Sequence, residues 1–127
     1  MTQLNRRPDM TWLLSSPSGR VGRRTFSLSW LFWMMLNGFS STNIALHPGS
    51  EETLSGWMIL FLVTAIASLV SATMVSIKRL HDIGYSGVFV LALFIPAVSF
   101  LVLLLLCIWP GEKQANKFGP ATDWPAA

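Results

Sequence analysis

The chain has 127 residues, so one compact unit is the default, and it is 52% hydrophobic but only 12% charged, against roughly 25% charged for a typical soluble domain. Residues 54–77 and 83–111 are uncharged, and each stretch is long enough to cross a bilayer as a helix, which excludes a soluble domain, because 127 residues give no core large enough to bury both. The formal charge of +3 comes from basic residues flanking apolar segments, which points to the membrane surface rather than nucleic acid, and the single Cys107 excludes an intrachain disulfide framework.

Residues 1–25 carry Arg6, Arg7, Arg20, Arg23 and Arg24 with one acid, Asp9, and form a basic segment expected on the cytoplasmic side. Its order with the apolar run after it is that of a signal peptide. Its length, and the lack of an A-x-A site, predict a retained signal-anchor instead. Trp12, Leu13 and Leu14 suit the headgroup level, and residues 15–19 read as a loop. Residues 26–45 are the first predicted span. Its first half is apolar and aromatic, with Phe26, Trp30, Phe32 and Trp33; its second half carries Asn37, Gly38, Ser40, Ser41, Thr42 and Asn43. Those polar groups require partners within hydrocarbon, or an end to the helix near Gly38.

A short turn at 47–52 holds His47, Glu51 and Glu52 and no Lys or Arg. Residues 54–77 form the second predicted span. Thr64, Ser68, Ala72 and Ser76 recur every four residues along one face, which predicts close packing against other helices. Residues 78–87 are a polar connector. Residues 88–109 are the third predicted span, with a kink at Pro96 and a lipid-facing run at 101–106. The tail, 110–127, is rich in Gly, Pro and Asn and reads as irregular.

The expected fold is all-α: a three-helix transmembrane bundle in a single domain over 1–127, with the N-terminus inside. Three full spans leave seven Lys and Arg inside and two, Lys113 and Lys117, outside. A second form makes Pro96 the tip of a re-entrant hairpin and puts all nine on one side. Its short limbs would need protein to shield backbone at depth, which favours three full spans.

Arg20, Arg23 and Arg24 orient the chain by charge. Together with Lys78 and Arg79 on the same side they also form a candidate site for an anionic lipid phosphate, which the planar guanidinium fork suits. Adjacent His81 and Asp82 suggest acid–base chemistry, but i,i+1 residues on a helix do not face each other, and no nucleophile is placed beside them. The stronger reading has Arg79, His81 and Asp82 cap helix ends and tie the connector to the arginine segment. His47, Glu51 and Glu52 lack a further ligand for a metal, and no cofactor is expected. No charge lies inside a predicted span, which argues against ion-coupled transport.

Gly19-Arg20-Val21-Gly22-Arg23-Arg24-Thr25-Phe26 resembles the G-R-x-x-R-x-x-aromatic motif of the domain-of-unknown-function 805 family of small bacterial inner-membrane proteins. Arg79-Leu80-His81-Asp82-Ile83-Gly84-Tyr85-Ser86-Gly87 is similar to that family's R-L-H-D-x-G-x-S-G connector, and Ile95-Pro96 to its mid-span proline. Asn116-Lys117-Phe118-Gly119-Pro120 resembles its N-x-aromatic-G-P tail. Departures include Ser27, Val88-Phe89, Gln114 and Ala121-Thr122. The resemblance implies a helical protein of the bacterial inner membrane and carries no established activity; the apolar stretches make it multi-pass in expectation.

The sequence therefore predicts a non-enzymatic membrane module. It binds anionic lipid headgroups or a partner membrane protein through Arg20, Arg23, Arg24, Lys78, Arg79, His81 and Asp82, with homo-oligomerisation along the 64–76 stripe. The alternative is an oligomeric pore or permeability-altering effector that uses the polar residues 37–43.

Overall fold

The structure, a computed structural model, describes residues 8–49 and 51–125. Arg6 and Arg7 of the basic segment, Ser50 of the turn and the last two residues of the tail lie outside them. The described residues form four α-helices and one 3-10 helix and contain no β-strand, only two isolated bridges.

α1 (Met10–Ser15) is one short turn-and-a-half, started by Asp9, whose carboxylate accepts from the Trp12 N–H at 2.6 Å. α2 (Arg23–Leu46) and α3 (Glu51–Ile83) form an antiparallel hairpin. The N-cap of α2 is Gly22, which has no side chain to cap with; the carboxylate of Asp123 arrives from the tail and accepts its N–H at 2.7 Å. α3 has 33 residues, about 50 Å of helix at 1.5 Å per residue. It outruns a hydrocarbon core of about 30 Å. It extends past the expected boundary at 77 because Lys78, Arg79 and Asp82 find partners inside the protein instead of ending the helix.

Polar residues set the register between α2 and α3. Trp33 Nε1 donates to Ser71 Oγ at 3.0 Å, Asn37 Nδ2 to Ser68 Oγ at 3.2 Å, and Thr64 Oγ1 to Asn37 Oδ1 at 3.2 Å. Phe39 meets Trp57 edge to face nearer the turn. Thr64 and Ser76 are buried, and Ser68 and Ala72 are half-buried. The polar half of α2 keeps its helix: Ser40, Ser41, Thr42 and Asn43 each donate to a carbonyl three or four residues back. Those same side chains dilute its hydropathy, and among the described residues α3 alone is long and apolar enough to cross a membrane.

The third predicted span, 88–109, is not one kinked helix. A 3-10 helix, Gly87–Phe94, runs out; Ile95 is extended; and α4 (Pro96–Ile108) runs back. A residue before proline is pushed out of the α region, and proline fits the first position of a helix. Pro96 therefore starts a new helix rather than bending an old one. Both ends of the segment reach the same end of α3. Gly87 lies against Ile77 and His81, while the carbonyls of Leu106 and Trp109 accept from Arg79. Residues 87–108 thus take the hairpin form rather than that of one kinked helix. The shielding problem that counted against it does not arise, because each limb satisfies its own backbone. At 2.0 Å per residue the 3-10 limb reaches about 16 Å and α4 about 20 Å, roughly half a bilayer each. The tail returns with α4 and crosses the same end, where Arg20 N–H donates to Trp124 O at 3.1 Å.

The buried apolar core is small: Val21, Phe26, Val75, Leu80, Val90 and Leu106. It gathers where α2 starts, α3 ends and the hairpin returns. Farther along α2 and α3, large apolar side chains such as Met35 and Leu62 are exposed, as on a lipid-facing surface. Because Asn37 is the hub of the inter-helix bonds, Asn37→Ala should lower stability by about 0.6–1.7 kcal/mol, the range for such bonds in membranes. Detergent-titration unfolding in mixed micelles will read it.

Candidate functional site: a buried charge cluster

The last two turns of α3 carry Lys78, Arg79, His81 and Asp82 into the crowded end of the molecule. Asp82 is the centre. Its Oδ1 accepts from Arg20 Nε at 3.1 Å and from Thr122 Oγ1 at 2.5 Å, and its Oδ2 accepts from Arg79 Nη1 at 2.8 Å. Both arginine side chains have 0% exposure and the aspartate 2%. One carboxylate thus bridges two buried guanidiniums, a geometry that is favourable only when the remaining donors are also matched.

They are matched by backbone carbonyls. Arg79 Nε donates to Leu106 O at 2.7 Å and its Nη2 to Trp109 O. These carbonyls lie at the C-terminal end of α4, where a helix leaves acceptors unpaired and its dipole favours a cation. Arg20 Nη1 donates to Gln114 O at 2.8 Å, and its Nη2 to Glu112 O. Lys78 repeats the device at α1. Its ammonium donates to Trp12 O at 2.6 Å and to Leu13 O, and stands 4.4 Å from the Trp12 ring centroid. Each cation therefore closes the end of a helix or binds a loop.

His81 Nδ1 lies 3.0 Å from Gly19 O, and its ring stacks on Phe118 at 4.1 Å between centroids, nearly parallel. Its own carbonyl accepts from Asn116 Nδ2 at 2.9 Å. His81 and Asp82 thus serve different partners and form no acid–base pair. α3 ends at Gly84, whose φ of 95° is open to glycine, and Tyr85 N–H donates to Leu80 O at 2.9 Å to close the last turn. Gly111 permits the closest approach in the cluster. A Cβ there would overlap the Asp82 carboxylate.

The seven predicted binding residues separate into two sets. Arg20, Lys78, Arg79 and Asp82 point inward, and His81 is half-buried among the loops. Arg23 and Arg24 stay exposed on the first turn of α2, and Arg23 Nη1 reaches Ile108 O at 3.4 Å. Sequence reasoning missed Thr122, Asp123 and the carbonyl acceptors. A lone hydroxyl in an irregular tail carries no pattern, and a carbonyl carries no sequence signal at all. Among the described residues no three His, Cys, Asp or Glu side chains group to hold a metal ion.

Residues 14–120 match the profile of a family described as "Protein of unknown function (DUF805)". The chain belongs to this family. The DUF805 match takes in Arg20, the α3 cluster and Gly111, and stops short of Thr122 and Asp123. The "Inner membrane protein YhaI" of Escherichia coli strain K12 is 30% identical over 118 residues, which cover 87% of this chain and 93% of that protein. The same-named protein of Escherichia coli O157:H7 matches to the same extent. No solved structure matches.

Removing the centre of the cluster leaves two buried cations without an anion. Asp82→Asn should cost about 3–5 kcal/mol, the range for breaking a buried ion pair. Adding Arg20→Gln should cost less than the two single losses combined, while Arg23→Gln should stay within about 0.5 kcal/mol. Thermal unfolding of the four variants in one detergent will give the cycle.

Proposed function

We propose that this DUF805 protein is a non-enzymatic, multi-pass module of the bacterial inner membrane, with both ends of the chain on the cytoplasmic side. Its exposed Arg23 and Arg24 engage anionic lipid headgroups. The observation that carries this reading is charge placement. Every Lys and Arg among the described residues sits at the end where α2 begins, α3 stops and the hairpin returns; the opposite turn carries His47, Glu51 and Glu52 and no Lys or Arg. Such asymmetry sets orientation in membranes. Similarity to an Escherichia coli inner membrane protein supports the location.

The reading narrows the seven-residue cluster. Arg20, Lys78, Arg79, His81 and Asp82 form the frame, and Arg23 and Arg24 are the surface that meets phosphate. α2 crosses beside α3 as a second pass, its polar atoms matched by Ser68, Thr64 and its own carbonyls. That matching favours helix pairing over an aqueous path along residues 37–43.

Two measurements test it. Single cysteines at Glu51 and Ala115, in a Cys107→Ser background, should label with an impermeant maleimide from outside spheroplasts at Glu51 only; labelling at Ala115 would refute the orientation. Replacing both Arg23 and Arg24 by Gln should reduce phosphatidylglycerol retained in native mass spectra roughly tenfold, as for the loss of about 1.4 kcal/mol. Unchanged retention would remove the headgroup role.

A further inference from the structure

The two limbs of the hairpin lean on the end of α3 and leave a groove of about 400 Å³ between them, within the range of roughly 300–1,000 Å³ for small-molecule sites. Leu80 contributes to its floor, Phe89 and Ala92 to the 3-10 wall, and Val102 to the α4 wall. Tyr85 and Trp109 stand where the limbs rejoin the connector and the tail. The lining is apolar apart from the tips of these last two side chains.

Three features say what fills it. First, the limbs reach about 16–20 Å, so the groove lies at the depth of one leaflet, where hydrocarbon chains are the abundant occupant. Second, Tyr85 and Trp109 are half exposed, at 54% and 51%, and such residues favour the headgroup level. Third, a cation stands beside that end. Arg23 reaches the carbonyl of Ile108, next to Trp109, and is exposed, whereas Arg79 behind it has its donors engaged by Asp82, Leu106 and Trp109. The order along the groove, hydrocarbon wall, then amphipathic aromatic, then guanidinium, mirrors acyl chain, ester region and phosphate.

We propose that this groove seats one acyl chain of an anionic phospholipid whose phosphate is held by Arg23. The seat rests on the headgroup reading above and sharpens it: one lipid per chain, retained by chain and charge together. Arg24 contributes to the surface field without touching this lipid.

The test uses the full chain in detergent and native mass spectrometry with four probes: dioleoyl phosphatidylglycerol, dihexanoyl phosphatidylglycerol, dioleoyl phosphatidylcholine and glycerol 3-phosphate. One dioleoyl phosphatidylglycerol should stay bound per chain, and each other probe should be held roughly tenfold less. Ala92→Phe fills the groove and should cut retention by a similar factor, as should Arg23→Gln. Val102→Phe fills it from the opposite wall and serves where Ala92→Phe fails to fold. If Arg23→Gln weakens binding but neither groove variant does, or if the short-chain lipid or glycerol 3-phosphate binds as well as the long, the seat is refuted and the headgroup reading stands. If phosphatidylcholine equals phosphatidylglycerol and Arg23→Gln changes nothing, both fall.

Discussion

The carboxylate of Asp82, held between the guanidiniums of Arg20 and Arg79, is the interaction on which this molecule turns. Two buried cations against one buried anion would be ruinous with their other donors open. Carbonyls from the end of α4 and from the tail close those donors. The requirement runs both ways. The hairpin has to return to the end of α3 because Arg79 needs its carbonyls, and α4 has to finish there because its own last carbonyls need a cation. The tail folds across and supplies Arg20 with the carbonyls of Glu112 and Gln114. Among the described residues, a core of six buried apolar side chains gains its definition from this polar frame.

The opposite half of the molecule obeys a different logic. Along α2 and α3 most large apolar side chains face outward, so burial away from water does little to join the two helices. Directed hydrogen bonds centred on Asn37 set their register instead. The protein thus has a helical hairpin with apolar outer faces, pinned by amide and hydroxyl groups, and a compact polar base tied by charge. Trp30 Nε1 and Ser76 Oγ are buried without a partner where these two regimes meet.

Much of this could be read in the chain. The four-residue recurrence of Thr64 and Ser68 marks the face of α3 that meets Asn37, whereas the end of that helix falls beyond the expected 77, at Ile83, where Gly84 takes a backbone angle cheap only for glycine. The arginine segment and the connector advertise themselves as polar islands between apolar runs. Two things were hidden. Residues 88–109 have the length and hydropathy of a span, and these cannot distinguish one crossing from a turn at half depth; the decision lies in how Pro96 restricts Ile95. The destination of the charged side chains was hidden as well. A surface arginine that meets lipid and a buried arginine that meets carbonyls look identical until the acceptors are placed, and those acceptors belong to the backbone.

The reach of Arg20 sets an order of events. Its side-chain partners lie 62, 92, 94, 99 and 102 residues away along the chain. Arg20 precedes these partners in synthesis, and until they follow its charge stands with those of Arg23 and Arg24 in one basic segment. Only after residues 112–122 leave the ribosome does an acceptor set exist to enclose it. The same side chain is therefore one charge of a basic segment while translation proceeds and an internal fastener once it is over, and the step between the two is the slow, non-local closure of the fold.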